Sequence, residues 1–282
     1  MLVFLSSCIH AWWNYLAKTI PSGAPFIWLV AVVTTVTYAP VVAWYIISYG
    51  FELNWLNGFF LAGTAISHLV YFLVLQKGYR VGDLSVVYPL ARGSGPLFAT
   101  FGALLLFGEQ LSAHSAAGIA LVAGGVFFVA GMSSVSLRNE RTKTGIGYGI
   151  VTGLLIAVYT LWDSYAVRVL LVPPLLIEYI SPPFRVLALA GVARKHRAET
   201  LQIWTDHRWK IWVIGLISPI AFIIVLYVLK TAPVSYVAPA RELSIVIGVI
   251  LGAKLLTEEH FKSRLFGSLL ILAGIALLSF SK

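Results

Sequence analysis

The feature that most constrains this chain is a series of long, continuous apolar runs. A run of about 20 apolar residues can cross the hydrocarbon core of a bilayer as a helix, in which the backbone satisfies its own hydrogen bonds. A transmembrane β-barrel would instead show short segments of alternating hydrophobicity. The runs therefore predict ten transmembrane helices, at approximately residues 1–17, 25–48, 56–77, 83–107, 112–131, 146–167, 172–192, 210–229, 234–256 and 263–281.

Composition excludes an ordinary soluble domain. The chain is 59% hydrophobic and 11% charged, whereas soluble domains carry about 25% charged residues. The net charge of +9 does not predict a nucleic-acid partner, because its carriers sit mostly in short loops between the spans. The single cysteine, Cys8, excludes an intramolecular disulfide.

The sequence also contains an internal repeat with a constant offset of 149 residues. Five spans fall before the central polar segment and five after it. This pattern predicts a first repeat over 1–131, an inter-repeat loop over 132–145 and a second repeat over 146–282. The matching positions are Arg92 with Arg241, Glu109 with Glu258, Gly118 with Gly267, Gly125 with Gly274, and Trp13-Asn14 with Trp162-Asp163.

The distribution of basic residues predicts the orientation in the membrane. Fourteen of the 20 Lys and Arg residues lie in or beside the loops that follow spans one, three, five, seven and nine. Three lie in the other loops and the C-terminal tail, and three lie inside spans. The positive-inside rule then places the first set of loops, including 193–209, in the cytoplasm and both termini outside. Five spans per repeat make the two halves inverted, a plan common among secondary transporters.

Three sequence motifs carry a resemblance to a known family. They are the first-helix run His10-Ala-Trp-Trp-Asn-Tyr-Leu-Ala-Lys18, the run over 82–93 that ends in Arg92-Gly93, and the element Arg241-Glu-Leu-Ser244. With them the whole chain resembles the drug/metabolite transporter superfamily, in its EamA-type ten-helix branch. The resemblance implies an all-α membrane fold of ten helices in two inverted five-helix repeats, and transport as the activity. It does not imply one substrate, since similar proteins are assigned amino acids, nucleosides or amphiphilic drugs. Many members are drawn with both termini inside; the loop charges here predict the reverse, and we follow the charges.

Two arginines inside the predicted spans, Arg92 and Arg241, are the first candidates for a substrate pathway. A charge at the bilayer centre costs about 2.5–3.5 kcal/mol on the gentler insertion scale, so it persists only beside a cavity or a partner. Inverted symmetry would direct both side chains towards one pathway. They either clamp an anionic group with their planar donors or pair with the intramembrane acids Asp163, Glu178 and Glu242.

The acids Glu242 and Asp163 occur only in the second half, because their repeat positions hold Gly93 and Asn14. Desolvation and neighbouring cations act in opposite directions on the protonation of a buried carboxylate. The sequence leaves two roles open for these acids, proton coupling or pairing with an intramembrane arginine such as Arg185.

Aromatic and polar residues form a stripe on the first predicted helix. His10, Trp13 and Asn14 are three and four residues apart, so they share one helical face. The repeat counterpart carries Tyr159 and Trp162 in the same register. Two matching stripes predict the walls of a cavity for an organic substrate, and the alternative is an aromatic belt at the membrane interface.

Three further residues complete the predicted pathway. His68 and Tyr71 are one turn apart in the third span, and Tyr88 lies one turn before Arg92 on the same face. A lone histidine in such a span is either a ligand or a group that hydrogen-bonds one helix to another.

Other signals are structural. Gly145, Gly149 and Gly153 have the four-residue spacing that lets helices approach closely, either within the chain or in a homodimer. Glu109 and Glu258 follow spans four and nine, where we read them as turn and helix-cap acids.

No nucleophile, metal-ligand cluster or phosphate-binding loop is visible in the sequence. We therefore expect no enzyme activity, no catalytic residue, no metal and no cofactor. The leading hypothesis is a secondary transporter, a permease or exporter, of a small organic metabolite in a bacterial inner membrane. Its partners would be that small-molecule substrate and the lipid bilayer. The alternative is a non-transporting membrane component, such as a lipid-handling or scaffold subunit of a larger complex.

Overall fold

The computed structural model describes residues 1–21, 23–82, 84–129, 140–247 and 261–280. These ranges are built from α-helices, with no β-strand among them. Residues 243–247 are also helical. The helices are α1 (Leu2–Lys18), α2 (Ala24–Tyr49), α3 (Trp55–Val81), α4 (Leu84–Phe107), α5 (Ala113–Val129), α6 (Glu140–Arg168), α7 (Pro174–Lys195), α8 (Arg197–Leu229), α9 (Val234–Ala240) and α10 (Phe261–Phe280).

Six of the described helices are long and apolar enough to cross a membrane, namely α2, α3, α4 over Leu90–Phe107, α6, α7 and α8. Shorter apolar helices cover Ala113–Phe128 in α5 and Leu265–Leu278 in α10. Large apolar side chains such as Ile47 and Leu187 are well exposed on these helices. An apolar exterior of this kind suits lipid rather than water, and the chain is a multi-pass membrane protein.

Two helices begin earlier than the hydropathy pattern predicts. α8 begins at Arg197 rather than near residue 210, and α6 begins at Glu140 rather than near 146. Residues such as Arg, Lys, Glu and Ala are good helix formers, so hydropathy marks where a helix becomes apolar and not where it begins. In α8 the two parts are separated by non-helical backbone at His207, with φ −130° and ψ 15°.

The ninth predicted span, 234–256, is interrupted in its described part. α9 ends at Ala240, a turn occupies 241–242, and the chain is helical again over 243–247. From Glu242 onward, backbone hydrogen bonds across this turn reach back three residues instead of four. Glu242 N donates to Pro239 O at 3.0 Å and Ser244 N donates to Arg241 O at 3.2 Å. This tighter winding interrupts the α-helix beside two polar residues. Residues 248–256 of the predicted span lie outside the described ranges.

Helix packing divides the chain into two units. Unit 1 is Met1–Ile66 with Tyr165–Lys230, and unit 2 is Ser67–Ser164 with Thr231–Lys282. Each unit takes residues from both predicted repeats, and α3 and α6 contribute to both units. The predicted repeats divide the chain by sequence similarity, whereas these units divide it by contacts. The repeat boundaries therefore stay a prediction.

In unit 1, α1 packs against α8, and α2 packs against both α7 and α8. The apolar core includes Phe26, Val33, Ile211 and Ile214. Hydroxyl groups on α1 and α2 donate to backbone carbonyls of α8: Ser6 to Ala221 at 2.7 Å, Thr34 to Gly215 at 3.0 Å and Tyr38 to Leu216 at 2.6 Å. Side chains of α1 and α2 thus bind the α8 backbone directly.

In unit 2, α4 packs against α5 and α9, and α5 packs against α10. The α5–α10 contact is antiparallel and uses glycines with almost no space between the helices. A methyl group on Gly125 would lie 2.6 Å from Gly267 O, and one on Gly274 would lie 2.5 Å from Gly118 O. These four glycines are the ones that match in the internal repeat.

Glycines also bring α6 close to α3 and α4 within unit 2. A methyl group on Gly149 would lie 2.6 Å from Leu90 Cβ, and one on Gly82 would lie 2.5 Å from Gly145 Cα. Gly153 faces Ser94 with no room for a side chain. The four-residue glycine spacing therefore serves packing within the chain.

Candidate functional site

An ion pair lies inside unit 2 between α4 and the turn that follows α9. Arg92 Nη2 is 3.1 Å from Glu242 Oε2, and the side chains are only 16% and 4% exposed. Arg92 Nη2 also donates to Ser244 Oγ at 3.4 Å. The structure thus pairs Arg92 with Glu242, which is one of the pairings that the sequence left open.

The interruption after α9 supplies two partners of Arg92. Glu242 lies in the turn and Ser244 lies at the start of the helical segment 243–247. The contact of Glu242 Oε2 with Arg92 lacks the geometry of a hydrogen bond. The buried carboxylate oxygen therefore has a charged neighbour but retains capacity to accept a hydrogen bond.

A second buried pair joins α3 to α6. His68 Nε2 is 2.9 Å from Asp163 Oδ2. Asp163 is fully buried and His68 is 7% exposed. If Asp163 is ionised it can only accept hydrogen bonds, and Nε2 of His68 is then the donor. Both residues were predicted from the sequence, but their pairing was not.

Tyr159 of α6 lies beside His68 and Tyr71. Its ring centroid is 4.5 Å from that of His68 and 5.4 Å from that of Tyr71, in edge-to-face arrangements. Its phenol experiences the charges of Arg92, Arg241, Asp163 and Glu242. We call His68, Arg92, Tyr159, Asp163, Arg241 and Glu242 the polar centre of unit 2.

The remaining predicted pathway residues of unit 2 are Arg241, Trp162 and Tyr88. Arg241 follows α9 directly, with helical backbone at φ −62° and ψ −24°, and its side chain is partly buried. Trp162 is also partly buried on α6. The backbone of Tyr88 belongs to α4, but its side chain lies outside the described parts.

The predicted stripe on α1 belongs to unit 1. The rings of His10 and Trp13 meet edge to face with centroids 5.0 Å apart. Asn14 Nδ2 donates to the backbone carbonyl of His10 at 2.7 Å, within the same helix. Trp13 packs against the apolar core of its unit, and its buried Nε1 has no hydrogen-bond acceptor among the described residues.

The carboxylate of Glu109 caps the N-terminus of α9. It accepts hydrogen bonds from Val234 N at 2.8 Å, Ser235 N at 3.0 Å and Ser235 Oγ at 2.6 Å. This arrangement confirms its predicted role as a helix-cap acid. The sequence did not identify which helix it caps, and Glu258 lies outside the described ranges.

The polar centre places charged side chains beside the rings of Tyr71 and Tyr159, a combination that can bind a polar organic group. Where the structure describes the chain, it brings together no group of three or more His, Cys, Asp or Glu side chains that could bind a metal. Sequence analysis missed Ser244 as an acceptor for Arg92. The available signal was the element Arg241-Glu-Leu-Ser244, which contains Ser244.

Comparisons with known proteins bear on the fold and the family. No curated protein matches the sequence at a significant level. A crystal structure has the same fold with a TM-score of 0.74, covering 98% of this chain and 94% of that chain at 16% sequence identity. At that identity the likeness concerns the fold alone.

The family assignment comes from the second half of the chain. Residues 143–280 match the model of the EamA-like transporter family. This segment contains most of α6 and all of α7 to α10, and with them Tyr159, Asp163, Arg241 and Glu242 of the polar centre. Over residues 143–280 the chain belongs to the EamA-like transporter family, which is part of the drug/metabolite transporter superfamily.

Proposed function

We propose that the protein is a secondary transporter of a small organic metabolite. The observation that carries this proposal is the polar centre of unit 2, in which the Arg92–Glu242 ion pair and the hydrogen-bonded pair His68–Asp163 are buried among apolar, membrane-spanning helices. Intramembrane charges are costly and characteristically mark substrate or ion pathways. The aromatic rings of Tyr71 and Tyr159 beside these charges suit an organic substrate.

The proposed mechanism is alternating access between two inverted five-helix repeats that together supply ten transmembrane helices. The α5–α10 contact supports this architecture. Gly118 contacts Gly274, which is the repeat counterpart of Gly125. Gly125 in turn contacts Gly267, which is the repeat counterpart of Gly118. A two-fold relation between inverted halves would produce this reciprocal pattern.

We propose the α1 stripe as a separate substrate-contacting surface, within unit 1. Trp13 offers a buried indole N–H without an acceptor among the described residues, and an unsatisfied donor of this kind can bind a substrate acceptor. Asn14 is already hydrogen-bonded within α1. Gly145, Gly149 and Gly153 pack inside the chain, so a homodimer, the alternative use of this spacing, would form through another surface.

A thermal-shift screen tests the proposal. Purified protein would be heated with small acids, amino acids, nucleosides and cationic drugs, beside Arg92→Lys and Tyr159→Phe. A ligand that binds only the folded state raises Tm by mass action. We expect stabilisation by one chemical class, reduced in both variants.

Stabilisation that is equal in the wild type and both variants would contradict this location of the site. Stable co-purification with a partner protein, together with no stabilisation by any compound, would favour a non-transporting subunit instead.

A further inference from the structure

An apolar cavity lies between α2 and α8, within unit 1. Its volume of about 340 Å³ is large enough for part of an organic ligand. The side chains that line it include Trp28, Val32 and Val36 of α2 and Leu201, Trp204 and Trp212 of α8. The polar exception is Thr200, whose hydroxyl donates to the backbone carbonyl of His196 at 2.9 Å. The cavity therefore selects a ligand by apolar contact.

The cavity is open to the surroundings of the two helices. Val36 and Leu201 of its lining are 62% and 52% exposed. Both α2 and α8 are long and apolar enough to cross a membrane, so exposed apolar side chains on them face lipid. Water is a poor occupant, because it needs several polar partners and the lining offers almost none. The hydrocarbon chain of a lipid matches both the lining and its surroundings.

The cavity lies near the first turns of both helices. Its lining begins at Trp28, four residues after the start of α2, and at Thr200, three residues after the start of α8. Tryptophan rings are enriched where the headgroups of a bilayer meet its hydrocarbon core, and three of them line this cavity. A lipid whose chain occupies the cavity would therefore have its headgroup close to the start of α8.

The start of α8 and the end of α7 are rich in basic residues. Between residues 193 and 210 there are five Lys or Arg residues and two Asp or Glu residues. Two of the arginines are exposed and lie one helical turn from a residue of the lining. Arg197 precedes Leu201 by four residues and Arg208 precedes Trp212 by four, so each pair shares a helical face. An anionic headgroup complements this charge.

We propose that the cavity between α2 and α8 binds one anionic phospholipid, with an acyl chain in the cavity and the phosphate beside Arg197 and Arg208. A guanidinium presents paired donors that match phosphate oxygens. A zwitterionic phospholipid can offer the same chains, but the positive group of its headgroup cancels the phosphate charge. The site thus selects lipids by headgroup charge. This inference goes beyond the proposed transporter function and does not depend on it.

The first test measures the selection by charge. Delipidated protein in detergent is titrated with dioleoyl phosphatidylglycerol or dioleoyl phosphatidylcholine, and bound lipids are counted by native mass spectrometry. We expect one saturable phosphatidylglycerol per chain, bound about tenfold more tightly than phosphatidylcholine. In Arg197→Gln/Arg208→Gln this preference should fall about tenfold. The control Arg80→Gln/Lys230→Gln removes the same charge at two other exposed residues and should keep the preference.

The second test asks whether the chain of the lipid occupies the cavity. Val36→Trp adds a large ring at an exposed position of the lining and leaves every charge in place. We expect it to weaken phosphatidylglycerol binding tenfold or more. The control is Ile47→Trp, because it adds the same ring at an exposed residue about 16 Å further along α2. Glycerol 3-phosphate, which has the anionic group without the chains, should not displace the lipid at millimolar concentration.

Several outcomes would overturn the proposal. Equal affinities of the wild type for the two phospholipids would exclude selection by charge, and this comparison needs no variant. An equal loss of preference in the two double variants would indicate a general effect of net charge. Binding that is unchanged in Val36→Trp, or that glycerol 3-phosphate displaces, would place the lipid or its headgroup outside the cavity.

Discussion

At the scale of single residues, the ion pair between Arg92 and Glu242 is the central feature of the polar centre. We expect Arg92→Met to lower the free energy of unfolding by about 3–5 kcal/mol, because it leaves a buried carboxylate without its cation. The double variant Arg92→Met/Glu242→Gln removes both charges and should recover roughly 2 kcal/mol of that loss. Thermal unfolding in detergent measures both effects.

The comparison of single and double variants separates charge from packing. If the double variant is as unstable as Arg92→Met alone, the ion pair at 3.1 Å contributes through shape and not through charge, which would contradict the description of the polar centre.

At the scale of elements, the α5–α10 contact makes a sharp prediction, because two adjacent glycines on α5 have opposite surroundings. A methyl group on Gly125 would lie 2.6 Å from Gly267 O, whereas one on Gly124 meets nothing within 4 Å. We expect Gly125→Ala to destabilise the fold by about 1–3 kcal/mol. Gly124→Ala should be neutral or stabilising by up to about 1 kcal/mol. Equal unfolding temperatures for the two variants would show that these helices do not pack closely.

The cap on α9 is a second prediction at this scale. Glu109→Gln keeps the shape of the side chain but removes its negative charge. It also replaces one oxygen of the carboxylate that accepts three hydrogen bonds at the start of α9. We expect a loss of about 1–2 kcal/mol in the free energy of unfolding. The control is Glu52→Gln, at an exposed acid between α2 and α3, which should leave unfolding unchanged. A similar loss in the control would indicate a general effect of net charge.

At the scale of the whole molecule, orientation is the first prediction. With Cys8 replaced by serine, a cysteine is introduced by Gln202→Cys, in the exposed basic segment at the start of α8, or by Glu52→Cys, between α2 and α3. The positive-inside rule predicts that an impermeant thiol reagent added to intact cells labels the cysteine at 52 and not that at 202. The opposite labelling would place the termini inside, as the family resemblance implies.

Much of the fold follows from the sequence because apolar length is a direct physical requirement of the bilayer. Every described helix overlaps a predicted span. The interruption after α9 was not predicted, because a proline is compatible with a continuous kinked helix and only packing decides between the two. The polar start of α8 was missed because it carries no hydropathy signal.

The candidate site was predictable as a set of residues but not as a set of contacts. The repeat identified Arg92, Arg241 and Asp163, and asymmetry between the halves identified Glu242. The partner of each charge depends on which helices lie side by side, and periodicity along one helix contains no such information. His68 and Asp163 are 95 residues apart in the chain, so only the fold reveals their pairing.

The measurement that tests the transporter function most directly is counterflow in proteoliposomes across the panel of small acids, amino acids, nucleosides and cationic drugs. Wild-type protein is compared with Arg92→Lys and with Gly124→Ala. The second variant is the control, because Gly124 is not part of the polar centre. The account predicts exchange of at least one organic compound by the wild type and the control, reduced tenfold or more in Arg92→Lys. Absence of exchange for all compounds by well-folded wild-type protein would contradict it.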